Sequence, residues 1–243
     1  MTEPESTRPP VVILCGGRGT RLREHTQEIP KPLVEIGGLP IVWHVIQLYA
    51  VQGFRRFMLA TGYKGELIEH FAAATDWPPD VAVQCIDTGL DTPTGGRIKL
   101  LAEHLRDDRF CATYADGVAR VDLGELLAFH TAHGCLATMT VVRPQLQFGV
   151  TELDTSDGRV LGFHEKPRSE HWINGGFFCF ERGVLDYLDC DSVLERDPLE
   201  RLSADGQLLA HRHEDFWECM DTYKDAIALN DLWESGQAPW RMW

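Results

Sequence analysis

The chain has 243 residues, of which 44% are hydrophobic and 25% are charged, and its formal net charge is −14 at pH 7. Its length and apolar content allow a large buried core, and domains of about 200 to 250 residues are common in sheet-rich enzymes. The acidic balance argues against a nucleic-acid or membrane partner, because polyanionic surfaces would be repelled over much of the protein. A small anionic ligand in a locally basic cleft remains compatible with it.

The first ten residues, MTEPESTRPP, lack the basic segment and the apolar core of a signal peptide. We predict a disordered arm over residues 1–10, followed by a single domain over residues 11–243. No run approaches the roughly 18 consecutive apolar residues of a membrane helix. The cysteines are scattered and form no Cys-x-x-Cys pair, which is typical of reduced thiols in the cytoplasm.

The first half of the chain alternates short apolar runs with helical patterns, which is typical of an α/β layer fold. Strands are predicted at residues 11–14, 57–61, 81–86 and 110–114. Helices are predicted at residues 39–52, 64–74, 96–104 and 122–133, the last entered at an acidic N-cap, Asp122. This order predicts a doubly wound, Rossmann-like sheet.

The second half is richer in strands. They are predicted at residues 137–143, 150–153, 160–165 and 177–180, with a hairpin turn at 156–158. Late helices are predicted at residues 199–205 and 222–235. Because no Ser/Gly linker separates residues 11–135 from residues 136–243, we expect one mixed, mainly parallel α/β sheet with a cleft across it.

A glycine-rich turn, Gly16-Gly17-Arg18-Gly19-Thr20-Arg21, directly follows the first predicted strand. Consecutive glycines let backbone N–H groups face an anion, and arginine adds a planar cation suited to phosphate. The alternative is a tight turn with a solvated arginine. A Walker loop is excluded because no Lys-Ser/Thr follows the last glycine, and a dinucleotide fingerprint because Leu22 occupies the position of its third glycine.

Lys31 lies between Pro30 and Pro32, which restrict the backbone and hold the ammonium near this glycine-rich turn. A lysine between prolines is otherwise solvent-facing. Two acidic residues are candidate metal ligands: Asp116 follows the strand at 110–114, and Asp221 precedes the last helix. Each carboxylate is also explained as a helix or turn cap.

Two carboxylates beside a cationic, glycine-rich loop are what a Mg²⁺ nucleoside-triphosphate site requires, since Mg²⁺ binds one or two carboxylates together with phosphates and water. A third signal is Glu165-Lys166-Pro167, followed by Asn174-Gly175-Gly176. Lys166 is suited to neutralise a monophosphate and Glu165 to accept hydrogen bonds from a polyol. A surface loop without function is the alternative.

This ordered set of motifs resembles the sugar-1-phosphate nucleotidylyltransferases over essentially the whole chain after the arm. The chain is most similar to the cytidylyltransferases that act on glucose 1-phosphate. The segments that carry this second resemblance are Val34-Glu35-Ile36-Gly37-Gly38, Trp43-His44, Gly62-Tyr63-Lys64-Gly65, Asp87-Thr88-Gly89-Leu90, Thr94-Gly95-Gly96-Arg97, Phe216-Trp217, Met220-Asp221-Thr222 and Ala238-Pro239-Trp240.

The resemblance implies that a sugar 1-phosphate oxygen attacks the α-phosphorus of a nucleoside triphosphate and releases pyrophosphate, without a covalent enzyme intermediate. By similarity, Arg21 would stabilise the triphosphate and Lys31 the α-phosphate. The implied nucleotide-binding residues are Gly16, Gly17, Gly19, Thr20, Thr94, Gly96 and Arg97. The implied sugar-phosphate-binding residues are Gly149, Glu165, Lys166, Asn174 and Gly175, and the implied Mg²⁺ ligands are Asp116 and Asp221.

The resemblance also implies a nucleotide-binding half at 11–135, a sugar-phosphate-binding half at 136–243 and a homo-oligomer. Ala115 departs from the family, which has glycine before the metal-binding aspartate, and Trp77-Pro78-Pro79 replaces a longer excursion. The alternatives are the same reaction with another base or another sugar, cyclitol or heptose 1-phosphate, and a non-catalytic nucleotide-sugar sensor. A nicotinamide oxidoreductase is disfavoured because Pro30 and Pro32 break the chain where its first helix would run.

Overall fold

The computed structural model describes residues 8–19 and 29–243. Its strands are β1 (Val11–Leu14), β2 (Glu35–Ile36), β3 (Leu39–Pro40), β4 (Arg56–Thr61), β5 (Ala82–Asp87), β6 (Arg109–Tyr114), β7 (Gly117–Ala119), β8 (Ala137–Val142), β9 (Val150–Leu153), β10 (Val160–His164), β11 (Ile173–Glu181), β12 (Leu208–His213) and β13 (Trp217–Cys219). Its α-helices are α1 (Ile41–Ala50), α2 (Gly65–Ala74), α3 (Thr94–Leu100), α4 (Leu123–His133), α5 (Asp197–Ala204) and α6 (Tyr223–Glu234). Short 3₁₀ helices are formed by Lys31–Leu33 and by Arg182–Tyr187.

A seven-stranded sheet with the order β12-β8-β11-β6-β1-β4-β5 forms the centre of the protein. β1 pairs in parallel with both β4 and β6, while β11 runs antiparallel to β6 and β8. The predicted mixed, mainly parallel sheet flanked by helices is therefore confirmed. The chain continues from β1 to β4 and β5 on one side and then crosses to β6 on the other, so the carboxyl ends of β1 and β6 form a topological switch point.

Apolar side chains cover both faces of this sheet. One cluster joins β1 to α1, α4 and α6, and includes Ile13, Tyr49 and Leu126. The other joins the sheet to α3 and α5 through Ile98 and Leu202. This three-layer arrangement explains why the central strands read as continuous apolar runs, since they are buried on both sides.

Several element boundaries differ from the predictions for identifiable reasons. The helix predicted from residue 39 begins at Ile41, because Leu39 and Pro40 pair with Glu35 and Ile36 in a small hairpin. Asp122 is the predicted N-cap, and its side chain accepts a hydrogen bond of 2.8 Å from the Glu125 amide. That prediction is confirmed.

Besides β2 and β3, three further strands were not predicted. β12 adds in parallel to β8 at the edge of the sheet, and β7 and β13 pair with each other. β11 also begins four residues before the predicted strand at 177–180. These short or half-polar segments lack the strong alternation by which a strand is recognised from sequence.

The predicted hairpin around residues 156–158 is confirmed: β9 and β10 pair antiparallel around it. Most of the predicted arm at residues 1–10 lies outside the described residues. Within the described part, the Pro10 carbonyl oxygen accepts a hydrogen bond of 2.8 Å from the Cys111 amide. Among the helices that the structure describes, none has the length and hydropathy needed to cross a membrane.

Candidate active site

A cleft of about 440 Å³ opens at the switch point between the carboxyl ends of β1 and β6. Among the residues predicted from the sequence to form the site, those that line it are Gly16, Gly17, Gly19, Lys31, Thr94, Arg97, Asp116 and Asp221. The structure therefore brings the glycine turn, the lysine and both carboxylates to one cavity, although they come from distant parts of the chain.

Arg97 holds the glycine turn from inside the protein. Its guanidinium donates hydrogen bonds to the carbonyl oxygens of Gly16 at 3.1 Å and of Gly89 at 2.9 Å. It also donates to the Thr61 carbonyl at 2.8 Å and the Thr88 hydroxyl at 2.6 Å. The side chain thus ties the turn after β1 to the segments that follow β4 and β5.

The absence of a side chain at Gly16 is required by this arrangement. A Cβ atom built there would lie 2.1 Å from Cζ of Arg97, and one at Gly62 would lie 2.6 Å from Nη1. Burial lowers the pKa of Arg97, while Asp87 and Asp91 are among the charges that oppose this shift. The nucleotide-binding role of Arg97 stays a prediction, since its hydrogen bonds are made largely to the protein backbone.

Lys31 lies between the two predicted metal ligands. Its ammonium donates to Oδ2 of Asp116 at 2.5 Å and to Oδ1 of Asp221 at 2.8 Å. The side chain is 13% exposed, so the alternative of a solvent-facing lysine is wrong. Pro30 is the N-cap of the 3₁₀ turn that positions it, and Pro32 lies within that turn.

The charges around Lys31 favour its protonated form. Burial lowers the pKa of Lys31, but the Asp116 charge and the hydrogen bonds to Asp116 and Asp221 outweigh burial, so the net pKa is raised. The lysine therefore carries a positive charge at neutral pH. A buried ammonium held this way is positioned to act on a phosphate that enters the cleft.

Asp221 is positioned by the start of α6. The N-cap of that helix is Thr222, whose hydroxyl accepts a hydrogen bond from the Asp225 amide, so the interpretation of Asp221 as the N-cap is wrong. Asp225 in turn accepts hydrogen bonds from the amides of Thr222 at 2.7 Å and Asp221 at 3.1 Å. The Met220 amide also donates to the Asp116 carbonyl at 2.9 Å, which joins the two carboxylate-bearing segments.

Asp116, Cys219 and Asp221 have potential ligand atoms that all lie within 4.8 Å of one another. The two carboxylates offer the hard oxygen ligands that Mg²⁺ prefers. Burial raises the pKa of the Cys219 thiol, and the charges of Asp116 and Asp221 raise it further. A protonated thiol is a poor ligand for Mg²⁺, so the donor set fits this ion through the two aspartates.

The predicted sugar-phosphate residues lie beyond the lining of this cleft. Asn174 is connected to it, because its Nδ2 donates a hydrogen bond of 3.1 Å to the hydroxyl of Tyr114, a residue that lines the cleft. The Gly175 carbonyl accepts a hydrogen bond of 2.8 Å from the Trp217 indole. Their substrate-binding roles stay predictions.

Gly149, Glu165 and Lys166 flank the exposed hairpin. Lys166 lies 3.9 Å from the Glu165 carboxylate and has a left-handed backbone with φ of 46°. Lys166 and Asp225 both line a smaller cavity of about 260 Å³. Asp225 is the residue that accepts a hydrogen bond from the Asp221 amide. A Cβ atom at Gly149 would lie 3.0 Å from Oε2 of Glu165.

Gly96 is placed away from the lining of the cleft. A Cβ atom there would lie 2.1 Å from the carbonyl oxygen of Cys190, and its amide donates to the Ser192 carbonyl at 3.0 Å. This glycine therefore lets the segment before α5 approach the start of α3. Its predicted nucleotide contact remains untested, and the predicted residues Thr20 and Arg21 lie outside the described residues.

Sequence reasoning missed Tyr114 and Glu195. The Tyr114 hydroxyl donates to one oxygen of Glu195, whose other oxygen accepts from the Thr94 hydroxyl at 2.7 Å. Glu195 precedes a helix in a segment with no motif. Only the position of Tyr114 at the end of a strand, two residues before Asp116, could have drawn attention to it.

Comparisons with known proteins agree with this geometry. Residues 10–237 match the sequence profile of the nucleotidyl transferase family. The chain is 43% identical to the glucose-1-phosphate cytidylyltransferase of Salmonella typhi over 96% of this chain and 98% of that protein. It is 32% identical to the mannose-1-phosphate guanylyltransferase of Mycobacterium tuberculosis, over 89% of this chain and 62% of that protein.

The fold is shared with a solved structure, that of HddC from Yersinia pseudotuberculosis complexed with GMP-PN. The TM-score is 0.73 at 24% sequence identity, and the alignment covers 93% of this chain and 99% of that chain. The match to the family covers both the glycine turn and the two aspartates of the cleft. The chain therefore belongs to the nucleotidyl transferase family, and it is a sugar-1-phosphate nucleotidyltransferase.

Proposed function

We propose that the protein transfers a cytidylyl group from CTP to α-D-glucose 1-phosphate and forms CDP-glucose and pyrophosphate. The observation that carries this proposal is that the Lys31 ammonium donates hydrogen bonds to both Asp116 and Asp221 in the cleft that the glycine turn also lines. Its specificity for CTP and glucose 1-phosphate is supported by the 43% identity to the Salmonella typhi cytidylyltransferase over nearly the full length of both chains.

The reaction needs positioning and charge neutralisation rather than a protein nucleophile. An oxygen of the sugar 1-phosphate forms a bond to the α-phosphorus of CTP as the bond to pyrophosphate breaks. Lys31 supplies a positive charge that is held in place before substrate binds, which stabilises negative charge on the α-phosphate in the transition state. The glycine turn supplies backbone N–H groups for the triphosphate, and Arg21 is proposed to bind the leaving pyrophosphate.

Asp116 and Asp221 are the residues that would hold Mg²⁺. When bound, the ion neutralises triphosphate charge and orients the phosphates. The two aspartates also hold the Lys31 ammonium, so the same carboxylates position this lysine and would hold the ion. On the sugar side, we propose that Lys166 binds the phosphate of the sugar 1-phosphate and that Glu165, Asn174 and Gly175 face the sugar.

We also propose that residues 11–243 form one domain and that the protein is a homo-oligomer. The central sheet takes strands from both halves of the chain, which supports a single domain. The hairpin of β9 and β10 exposes apolar side chains, with Leu161 at 63% and Phe163 at 61% exposure. Exposed apolar patches of this kind are typical of protein interfaces, and light scattering of the purified protein would give the oligomer mass.

The substrate assignment is tested by measuring pyrophosphate release from CTP, dTTP, UTP, GTP and ATP, each with Mg²⁺ and a panel of sugar 1-phosphates. We expect turnover with CTP and glucose 1-phosphate. Turnover with another base or sugar would overturn this substrate pair and keep the reaction. No turnover with any pair, together with tight binding of a nucleotide sugar, would instead support a non-catalytic sensor.

A further inference from the structure

One chain of hydrogen bonds crosses from the start of α3 to the start of β11. The Thr94 hydroxyl donates to Glu195 at 2.7 Å, the Tyr114 hydroxyl donates to the other oxygen of Glu195, and Nδ2 of Asn174 donates to the Tyr114 hydroxyl at 3.1 Å. Thr94 and Tyr114 line the cleft, whereas Asn174 and Glu195 line a second, open cavity of about 520 Å³. The chain of side chains therefore separates two cavities.

We propose that Glu195 is a positioning residue that orients Asn174 toward the sugar 1-phosphate by fixing the hydrogen bond of the Tyr114 hydroxyl. This inference rests on the proposed sugar-binding role of Asn174. Glu195 reaches Asn174 only through Tyr114, and its other oxygen accepts from Thr94, a predicted nucleotide-binding residue.

The direction of the hydrogen bonds carries the argument. A tyrosine hydroxyl has one proton, and here that proton is donated to Glu195. The oxygen can then only accept from Asn174, so the amide nitrogen, and not the amide oxygen, must face Tyr114. The amide oxygen of Asn174 accepts from the Gly176 amide at 2.9 Å. Asn174 is thus fixed in one of its two amide orientations, with one N–H left for a ligand.

The position of the Tyr114 ring is also fixed. Gly176 has φ of 81°, and a Cβ atom there would lie 2.5 Å from Cδ2 of Tyr114. Burial raises the pKa of the Tyr114 hydroxyl, and the Glu195 charge raises it further, so the hydroxyl keeps the proton that it donates. The direction in which the Tyr114 hydroxyl points its proton is therefore set by its hydrogen-bond acceptor, Glu195.

Glu195 is held in turn by the segment that precedes α5. The Leu194 amide donates to the Thr94 hydroxyl oxygen at 2.9 Å, while the Thr94 proton goes to Glu195. The close approach of this segment to α3 depends on Gly95 and Gly96, where a Cβ atom would lie 2.8 Å and 2.1 Å from backbone oxygens of Ser192 and Cys190. The two glycines after Thr94 therefore serve to bring Glu195 to Tyr114.

The test compares Glu195→Ala and Tyr114→Phe, singly and together, with the wild-type protein. In Glu195→Ala the Tyr114 hydroxyl loses its acceptor and can direct its proton at the Asn174 amide, which removes the fixed acceptor for the Asn174 N–H group. We expect the KM for glucose 1-phosphate to rise about tenfold, the scale of one lost hydrogen bond. The KM for CTP is expected to stay within about twofold, because the glycine turn is untouched and the Thr94 hydroxyl keeps its hydrogen bond from the Leu194 amide.

The double variant separates positioning from general damage. If Glu195 acts through the Tyr114 hydroxyl, the double variant has the same KM for the sugar 1-phosphate as Tyr114→Phe alone. Multiplying effects, or a Glu195→Ala variant that behaves like wild type, would overturn the proposal. The control is Glu200→Ala, at an exposed residue of α5 that lines the same second cavity, and it should retain the wild-type KM.

A wrong role for Glu195 can be distinguished from a wrong choice of substrates. If the wild-type protein uses a different base or sugar, the proposed substrates are wrong. The same variants are then assayed with the pair that the wild type does use. The sugar-selective KM change and the coupling between Glu195 and Tyr114 are still expected with that pair, and their absence would overturn the role of Glu195 alone.

Discussion

The ammonium nitrogen of Lys31 lies 2.5 Å from Oδ2 of Asp116, although 85 positions separate the two residues in the chain. The same nitrogen lies 2.8 Å from Oδ1 of Asp221. Within the described part of the chain, the fold therefore pairs a partly buried lysine of the cleft with the two carboxylates proposed as metal ligands. The lysine and the two aspartates form one unit, and the first two predictions concern these three residues.

Lys31→Ala should lower kcat about 100- to 1,000-fold, the usual effect of removing one donor that acts on transition-state charge. The KM for CTP should change far less, because the triphosphate keeps the backbone of the glycine turn. Steady-state rates of pyrophosphate release give both constants. Arg106→Ala removes an exposed cation outside the cleft and should be silent. An unchanged kcat in Lys31→Ala would remove this residue from the mechanism.

Asp116→Asn and Asp221→Asn should each raise the Mg²⁺ concentration for half-maximal activity about 10- to 100-fold, because each replaces a proposed carboxylate ligand by a neutral amide. Activity measured across a Mg²⁺ titration checks this. The matched control is Asp231→Asn, at an exposed position of α6. If the titration curve of either cleft variant overlays that of wild type, the corresponding carboxylate is not a metal ligand.

Gly16→Ala should destabilise the protein by about 2 to 4 kcal/mol, because the new methyl displaces the Arg97 guanidinium from buried carbonyl oxygens. Gly17→Ala is the matched control, since a Cβ atom there meets nothing within 4 Å. Its effect on the free energy of unfolding should stay within about 0.5 kcal/mol. Urea unfolding measures both. Equal losses in the two variants would show that Arg97 does not constrain Gly16.

His130 should make the protein less stable in acid. Burial, together with the charges of Arg109 and His133, lowers its pKa to about 4, although the Glu181 charge opposes the shift. Between pH 6.5 and pH 4 the unfolded state therefore binds a proton that the folded state does not, so the free energy of unfolding decreases as the pH falls. The full effect is at most roughly 3 kcal/mol.

Urea unfolding at several pH values between 4 and 7.5 checks this dependence. In His130→Gln the slope of stability against pH should be smaller over that range, whatever the absolute stability of the variant. In His104→Gln, at an exposed position, the slope should match that of wild type. A wild-type slope retained in His130→Gln would assign the acid sensitivity to other groups.

The sequence predicts much of this fold because its first half alternates buried strands with amphipathic helices, whose periods differ clearly. It also predicts Lys31, Asp116 and Asp221, since their residue types are specific for phosphate and metal chemistry. Asp221 was ambiguous because Thr222 and Asp225 together form an equally good cap, and local sequence cannot assign the cap between neighbours.

Other features depend on contacts that no local pattern reports. In the sequence Arg97 is a cation that follows two glycines. Only the fold shows that its guanidinium donates a hydrogen bond to the carbonyl oxygen of Gly16, 81 positions away. Glu195 stands in a polar segment typical of a solvated turn, and its partners Thr94 and Tyr114 lie 101 and 81 positions away. Residues of this kind are found from tertiary packing alone.

The most direct test of the whole account is to incubate the wild-type protein with CTP, glucose 1-phosphate and Mg²⁺ and to quantify both products. Mass spectrometry measures CDP-glucose, and a coupled assay measures pyrophosphate. The account predicts equal amounts of the two products, with little of either in Lys31→Ala. Pyrophosphate released without CDP-glucose, or no product from the wild type, would contradict cytidylyl transfer to this sugar phosphate.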